Sequence, residues 1–182
     1  MTRLSRAAAL VAAIVSLSAC DVAQKTQAPP AAPAIAPILT TPDAQDPHSY
    51  ARPQEARVAN VDLDLALDFD AKRVAGTATL DVIAAKGARE VVLDSKGLEI
   101  EAVTGPDGKP LQWKLGASDP DKGAPLAITL PGDGEQKIAI RYKSAPDAEA
   151  LQWLAPEQTA GKKHPYLLSQ GQATLNRTWI PT

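Results

Sequence analysis

The chain has 182 residues, with 19 basic against 21 acidic side chains and a formal net charge of −2. That balance excludes the strongly basic surface that nucleic-acid binding favours. A single cysteine excludes an intrachain disulfide, and only two histidines are present, His48 and His164.

Arg3 and Arg6 precede an apolar run from Ala7 to Leu17, which ends in Leu17-Ser18-Ala19-Cys20. The run falls short of the roughly 20 apolar residues that span a bilayer. A basic start, a short apolar stretch, small residues and the chain's one cysteine together resemble a bacterial lipoprotein signal over residues 1–19. The resemblance implies lipidation of Cys20 and a membrane-held protein on the periplasmic side of a bacterial envelope. Each buried CH2 of an acyl chain contributes about 0.8 kcal/mol, so several chains anchor stably. Residues 20–45 are rich in Ala, Pro, Gln and Thr, with five prolines between Pro29 and Pro42. Such a segment buries too little apolar surface to fold. It reads as a tether that reaches roughly 75 Å at about 3.1 Å per residue.

From Asp46 onward the patterning is β. Val61, Leu63, Leu65, Leu67 and Phe69 alternate with Asp62, Asp64, Ala66, Asp68 and Asp70. The period of two predicts a half-buried strand with one apolar and one acidic face. Exposed positions along a strand spread carboxylates apart, so the acidic row reads as a solvated face and not a cation site. Residues 70–73 read as a turn, and Val74–Val82 as the second strand of a hairpin whose small residues allow close packing. Further strands are predicted at Glu90–Leu93, Leu98–Val103, around Trp113, at Pro125–Leu130 and around Ile138–Tyr142. Gly- and Pro-containing turns punctuate them. Residues 145–158 read as a short helical turn or an ordered loop, with Trp153 as an apolar anchor. The expected fold is therefore all-β and mostly antiparallel, a sheet, sandwich or barrel-like arrangement.

Catalytic signatures are missing. No H-E-x-x-H or G-x-S-x-G occurs, and each histidine sits beside a proline in a loop-like setting. The informative stretch is Pro165–Thr182. Tyr166-Leu167-Leu168 is followed by Gln170 and Gln172 with Gly171 between them. On a strand, both glutamines project from one face. Their amides offer two acceptors and a set of NH2 donors, suited to gripping a peptide's amine and backbone. Gly171 would allow a ligand backbone to approach. A polar edge strand meeting water is the plainer alternative. Trp179-Ile180-Pro181-Thr182 reads as an apolar segment entering further structure, so a truncated chain is expected.

Asp46–Pro53, Ala150–Thr159 and His164–Ala173 together closely resemble the N-terminal domain of zinc aminopeptidases, peptidase family M1, in the leukotriene A-4 hydrolase branch. The resemblance spans residues 46–182. It implies a saddle-like antiparallel β domain, incomplete at its C-terminus, that packs against a separate zinc catalytic domain. It further implies that Gln170, Gln172 and Ala173 contact substrate, with Gln172 near the free α-amine and Ala173 touching the peptide backbone. The family's R-x-x-x-P segment is present as Arg177 to Pro181. No zinc ligand set or catalytic residue is present, so zinc is expected in a catalytic domain outside this chain. Two expectations follow. One is the substrate-side fragment of a lipid-anchored zinc aminopeptidase acting on peptide N-termini. The other is a stand-alone, non-catalytic lipoprotein that binds a peptide or partner.

Overall fold

The computed structural model describes residues 46–182. The expected signal segment, Cys20 and the tether lie outside the described residues. Nine strands follow in order: β1 (Ala56–Asp68), β2 (Arg73–Ala84), β3 (Glu90–Ser95), β4 (Glu99–Thr104), β5 (Trp113–Leu115), β6 (Ala124–Thr129), β7 (Gly134–Lys143), β8 (Leu151–Leu154) and β9 (Tyr166–Ser169). Two 3-10 turns, Pro156–Gln158 and Leu175–Thr178, are the helical elements among the described residues.

Every strand pairing is antiparallel. The largest sheet has the order β1-β2-β7-β4, a second has β3-β6-β5, and β8 and β9 form a hairpin. The all-β, antiparallel expectation is met. Leu80 and Val82 of β2, Ile138, Ile140 and Tyr142 of β7, and Val103 of β4 share one core with Val91 and Leu93 of β3 and Leu126 and Ile128 of β6. Two sheets thus close face to face over alternate side chains. The outer face of the larger sheet is polar. Lys137 pairs with Asp81, and both Arg141 and Lys143 pair with Glu101. The Lys137 and Lys143 ammonium groups hold the Asp81 and Glu101 carboxyls below their usual values, chiefly through hydrogen bonds.

The β1–β2 hairpin is closed at its turn by the Asp68 carboxylate, which accepts the Ala71 N–H at 2.8 Å. Gly76 sets its inter-strand distance. A Cβ there would lie 2.1 Å from the Asp64 carbonyl oxygen and 2.9 Å from the Leu65 Cα. Close packing by small residues is therefore confirmed at this position.

Three expectations are corrected. The first strand begins at Ala56, earlier than its alternation shows. Its apolar face is not half-buried throughout: Val61, Leu63 and Leu67 are 38%, 41% and 49% exposed. β1 is the outermost strand, and the second sheet does not cover this part of it. Residues 145–158, expected as a short helical turn or an ordered loop, do hold the 3-10 turn Pro156–Gln158, but they also hold β8, whose four residues are too few to display a period. Trp153 does act as an anchor. Its ring meets Phe69 edge-on at 5.2 Å, and it packs with Leu65 and Leu167 against Val74, Ala148 and Leu151.

Tyr142 is fully buried, and its hydroxyl has no hydrogen-bond partner among the described residues. Burial raises this phenol's pKa above its ordinary value of 10.0. The folded state therefore keeps the proton while the unfolded chain releases it, and stability drains away as pH rises above 10. Tyr142→Phe removes an unsatisfied polar atom and this titration together. Urea unfolding should show the variant equal to or up to about 1 kcal/mol more stable at neutral pH, with a smaller loss of stability above pH 10.

Candidate functional site

The residues expected to bind substrate follow β9. In the β8–β9 hairpin, Gln152 pairs with Leu168 and Leu154 with Tyr166. Leu151, Trp153 and Leu167 turn inward to the second apolar cluster. Tyr166 and Leu168 lie on the opposite, exposed side. One more ladder bond, from the Gln170 N–H to the Ala150 carbonyl at 2.8 Å, extends the pairing past Ser169. Beyond it the strand stops.

Gln170 and Gln172 are therefore not two positions on one strand face, as the alternation implied. They sit in a turn that the glutamines themselves shape. The Gln170 side-chain carbonyl accepts the Gln172 backbone N–H at 3.0 Å. One of its two acceptor sites is thus used inside the turn, and its NH2 group points to no partner among the described residues. The Gln172 amide makes no hydrogen bond to any described residue, and Gln170, Gln172 and Ala173 are all exposed. The peptide between Gln172 and Ala173 is cis.

Gly171 has a different role from the one its sequence context implies. A Cβ at this position would lie 2.0 Å from Asn176 Oδ1, so the glycine makes room for the protein's own side chain and not for a ligand. Asn176 Oδ1 in turn accepts the Trp179 Nε1–H at 3.1 Å. The Gly171 carbonyl accepts the Leu175 N–H at 2.9 Å and leads the chain into its 3-10 turn.

Arg177 holds this turn to the sandwich. Its side chain is 7% exposed and its partner Asp94 is 5% exposed. Arg177 Nη2 lies 3.2 Å from Asp94 Oδ2, Nη1 donates to the Lys122 carbonyl, and Nε donates to the Thr174 carbonyl at 2.9 Å. Asp94 also accepts the Ser49 hydroxyl and the Tyr50 N–H, both at 2.8 Å. The Arg177 carbonyl accepts the Lys96 N–H at 2.8 Å. Asp94 and Thr182 exchange backbone hydrogen bonds in both directions. Four distant stretches, around residues 50, 95, 122 and 177, thus meet at one charge pair. Sequence reasoning picked out Arg177 but missed Asp94 and Ser49, which carry no local pattern.

No group of three or more His, Cys, Asp or Glu able to hold a metal occurs among the described residues. His164 is exposed beside a cleft of about 420 Å³, which Leu154, Gln158, Thr159 and Tyr166 also line. Its backbone carbonyl lies 2.9 Å from the Thr159 hydroxyl. A second cavity of about 450 Å³ lies beside Thr182, among Ala56, Val58, Val91 and Leu93. Its lining is mainly apolar and brings together no set of reactive side chains.

The described residues form an all-β, antiparallel domain that carries an exposed, uncharged amide turn. Its family is shown by the Peptidase M1 N-terminal domain model, which matches residues 47–182. The chain belongs to the peptidase M1 family through this domain. It is 40% identical over 141 residues to a leukotriene A-4 hydrolase of Xenopus laevis, covering 75% of this chain and 23% of that protein. It is 34% identical over 139 residues to leucine aminopeptidase 2 of Yarrowia lipolytica, covering 75% and 21%. The chain thus spans about a quarter of these relatives' length. A solved structure of yeast leukotriene A4 hydrolase in complex with bestatin shares the fold, with a TM-score of 0.70 and 24% identity over 79% of this chain and 23% of that one.

Removing one member of a buried charge pair leaves the other charge uncompensated. Asp94→Ala should therefore cost about 3–5 kcal/mol in chemical unfolding. Protease digestion should show cleavage within residues 170–182 before the sandwich is lost.

Proposed function

We propose that this chain is the substrate-side N-terminal part of a lipid-anchored, zinc-dependent aminopeptidase. In this reading it helps bind the free amino end of a peptide. Membership of the M1 family supports the peptidase class, and the curated relatives include proteins named leucine aminopeptidase 2. The observation that carries the residue assignment is the Gln170–Ala173 turn: exposed, with the Gln172 amide unpartnered among the described residues and its backbone fixed by Gln170 and Arg177.

The described residues supply no donor set that fits zinc. In this reading the zinc is held by a separate catalytic domain. What the chain contributes is orientation. A peptide α-ammonium needs acceptors, and the Gln172 side-chain carbonyl is a neutral one that works at any pH where the amine is charged. Ala173 has a side chain small enough to let a peptide backbone lie against the turn. Positioning of this kind raises the rate by fixing the scissile bond before chemistry begins. Lipidation at Cys20 would hold the parent protein at a membrane on the periplasmic side.

The whole protein tests this reading. Gln172→Ala should weaken use of peptides with a free N-terminus by about tenfold or more in kcat/KM, the scale of a lost hydrogen bond to a charged group. Gln170→Ala should have a smaller effect, felt through the turn. A full-length protein that hydrolyses no peptide would refute the proposal and favour a non-catalytic peptide-binding lipoprotein.

Anchoring has a separate test. Cys20→Ser should abolish metabolic labelling by a fatty acid and move the protein from the membrane fraction to the soluble one.

A further inference from the structure

Ahead of β1 the chain makes a turn at Asp46-Pro47-His48-Ser49. The Asp46 side chain accepts the His48 N–H at 2.8 Å, and its backbone carbonyl accepts the Ser49 N–H at 3.3 Å. Turns headed by an aspartate set the direction of the residues that follow. Ser49 and Tyr50 come out of this one aimed at the two supports of the Arg177 guanidinium, Asp94 and the loop at Lys122.

The first route runs through Asp94. The Ser49 hydroxyl donates to Asp94 Oδ2 at 2.8 Å, the same oxygen that meets Arg177 Nη2, while the Tyr50 N–H donates to Oδ1. The Ser49 hydroxyl also accepts the Ala51 N–H at 3.0 Å, so its own orientation is set. With both oxygens engaged, the carboxylate cannot turn from the guanidinium without breaking other hydrogen bonds.

The second route runs through the Lys122 loop. The Lys122 ammonium lies 4.5 Å from the centre of the Tyr50 ring, a cation–π contact. The Tyr50 hydroxyl donates to the Gly123 carbonyl at 3.3 Å. The Lys122 carbonyl that these two contacts flank accepts Arg177 Nη1 at 3.2 Å. Two adjacent residues thus brace both supports of one arginine, whose Nε reaches the Thr174 carbonyl next to Ala173. A buried ion pair contributes little net stability, so a double brace around it is better accounted for by the geometry it fixes.

We infer that Ser49 and Tyr50 are positioning residues for the glutamine turn. Acting through Asp94, the Lys122 loop and Arg177, they hold Gln172 where a peptide α-ammonium would meet it. This rests on the reading of the turn as the site for a peptide's amino end. It makes the strap through which the chain enters the domain a part of that site.

The full-length protein tests this with two readouts, of which amide hydrogen exchange is independent of activity. The Gln172 N–H is held by the Gln170 side chain and the Leu175 N–H by the Gly171 carbonyl. Ser49→Ala and Tyr50→Leu should each speed exchange at these two amides about threefold or more, with Ile138 and Ile140 of β7 unchanged. Ser49→Thr keeps the hydroxyl and Tyr50→Phe keeps the ring, so each should return most of the protection. Unchanged exchange at the turn, or an equal rise at β7, overturns the inference. The second readout is cleavage of trialanine with a free amine. Ser49→Ala should lower kcat/KM about threefold when Gln172 is present and by much less in a Gln172→Ala background. Equal losses in both backgrounds would leave Ser49 a purely structural role and overturn the inference. A protein that cleaves no peptide defeats the aminopeptidase reading, and the exchange result alone then decides whether the strap holds the turn.

Discussion

The Asp94–Arg177 pair is the constraint on which the candidate site depends. Both side chains are nearly excluded from solvent, and each is tied to several backbone groups. A buried ion pair adds little net stability over a well-packed apolar pair, because desolvation offsets much of the attraction. Its value here is geometric. Arginine's planar fork reaches three points at once, and no apolar residue could satisfy the Thr174 and Lys122 carbonyls that it meets. Through Thr174 the pair fixes the far end of the glutamine turn. Through Ser49 and Tyr50 it also fixes the chain's approach to β1.

Much of the fold was legible because a strand covered on one face must alternate. β2 and β7 alternate cleanly, and the same side chains fill the sandwich core. Turn residues marked the breaks for the same reason that glycine and proline do so generally. What failed did so for physical causes. β8 is too short to show a period. β1 alternates as well as β2, yet Val61, Leu63 and Leu67 stay exposed, because alternation reports which residues share a face and not whether another layer covers it.

The site was legible in composition and illegible in conformation. Gln170, Gln172 and Ala173 were singled out and are all exposed. The strand on which Gln170 and Gln172 would share one face ends at Ser169, because the Gln170 side chain competes for the Gln172 N–H. Such local side-chain bonds compete with ladder pairing and end regular structure. Gly171 was misjudged for a similar reason. Its neighbour Asn176 is five positions away and folds back over it, a contact no pattern along the chain announces. Asp94 is more remote still. It lies 83 positions from Arg177, and as the fifth residue of an ordinary strand it shows nothing of its charge partner.

If residue 172 meets a peptide amine as proposed, an uncharged amide suits its position. A carboxylate at residue 172 would attract a peptide ammonium more strongly, but it would titrate, and an exposed charge pair is weakened by solvent and salt. An amide gains less per contact and depends more on being held in place. The turn meets that requirement from both sides. Gln170 restrains the backbone entering Gln172, and Arg177 restrains Thr174 two residues beyond it. In the proposed peptide-binding reading, selectivity for an amino terminus through residue 172 would rest on the buried charge pair behind the turn as much as on the exposed glutamine that would meet the ligand.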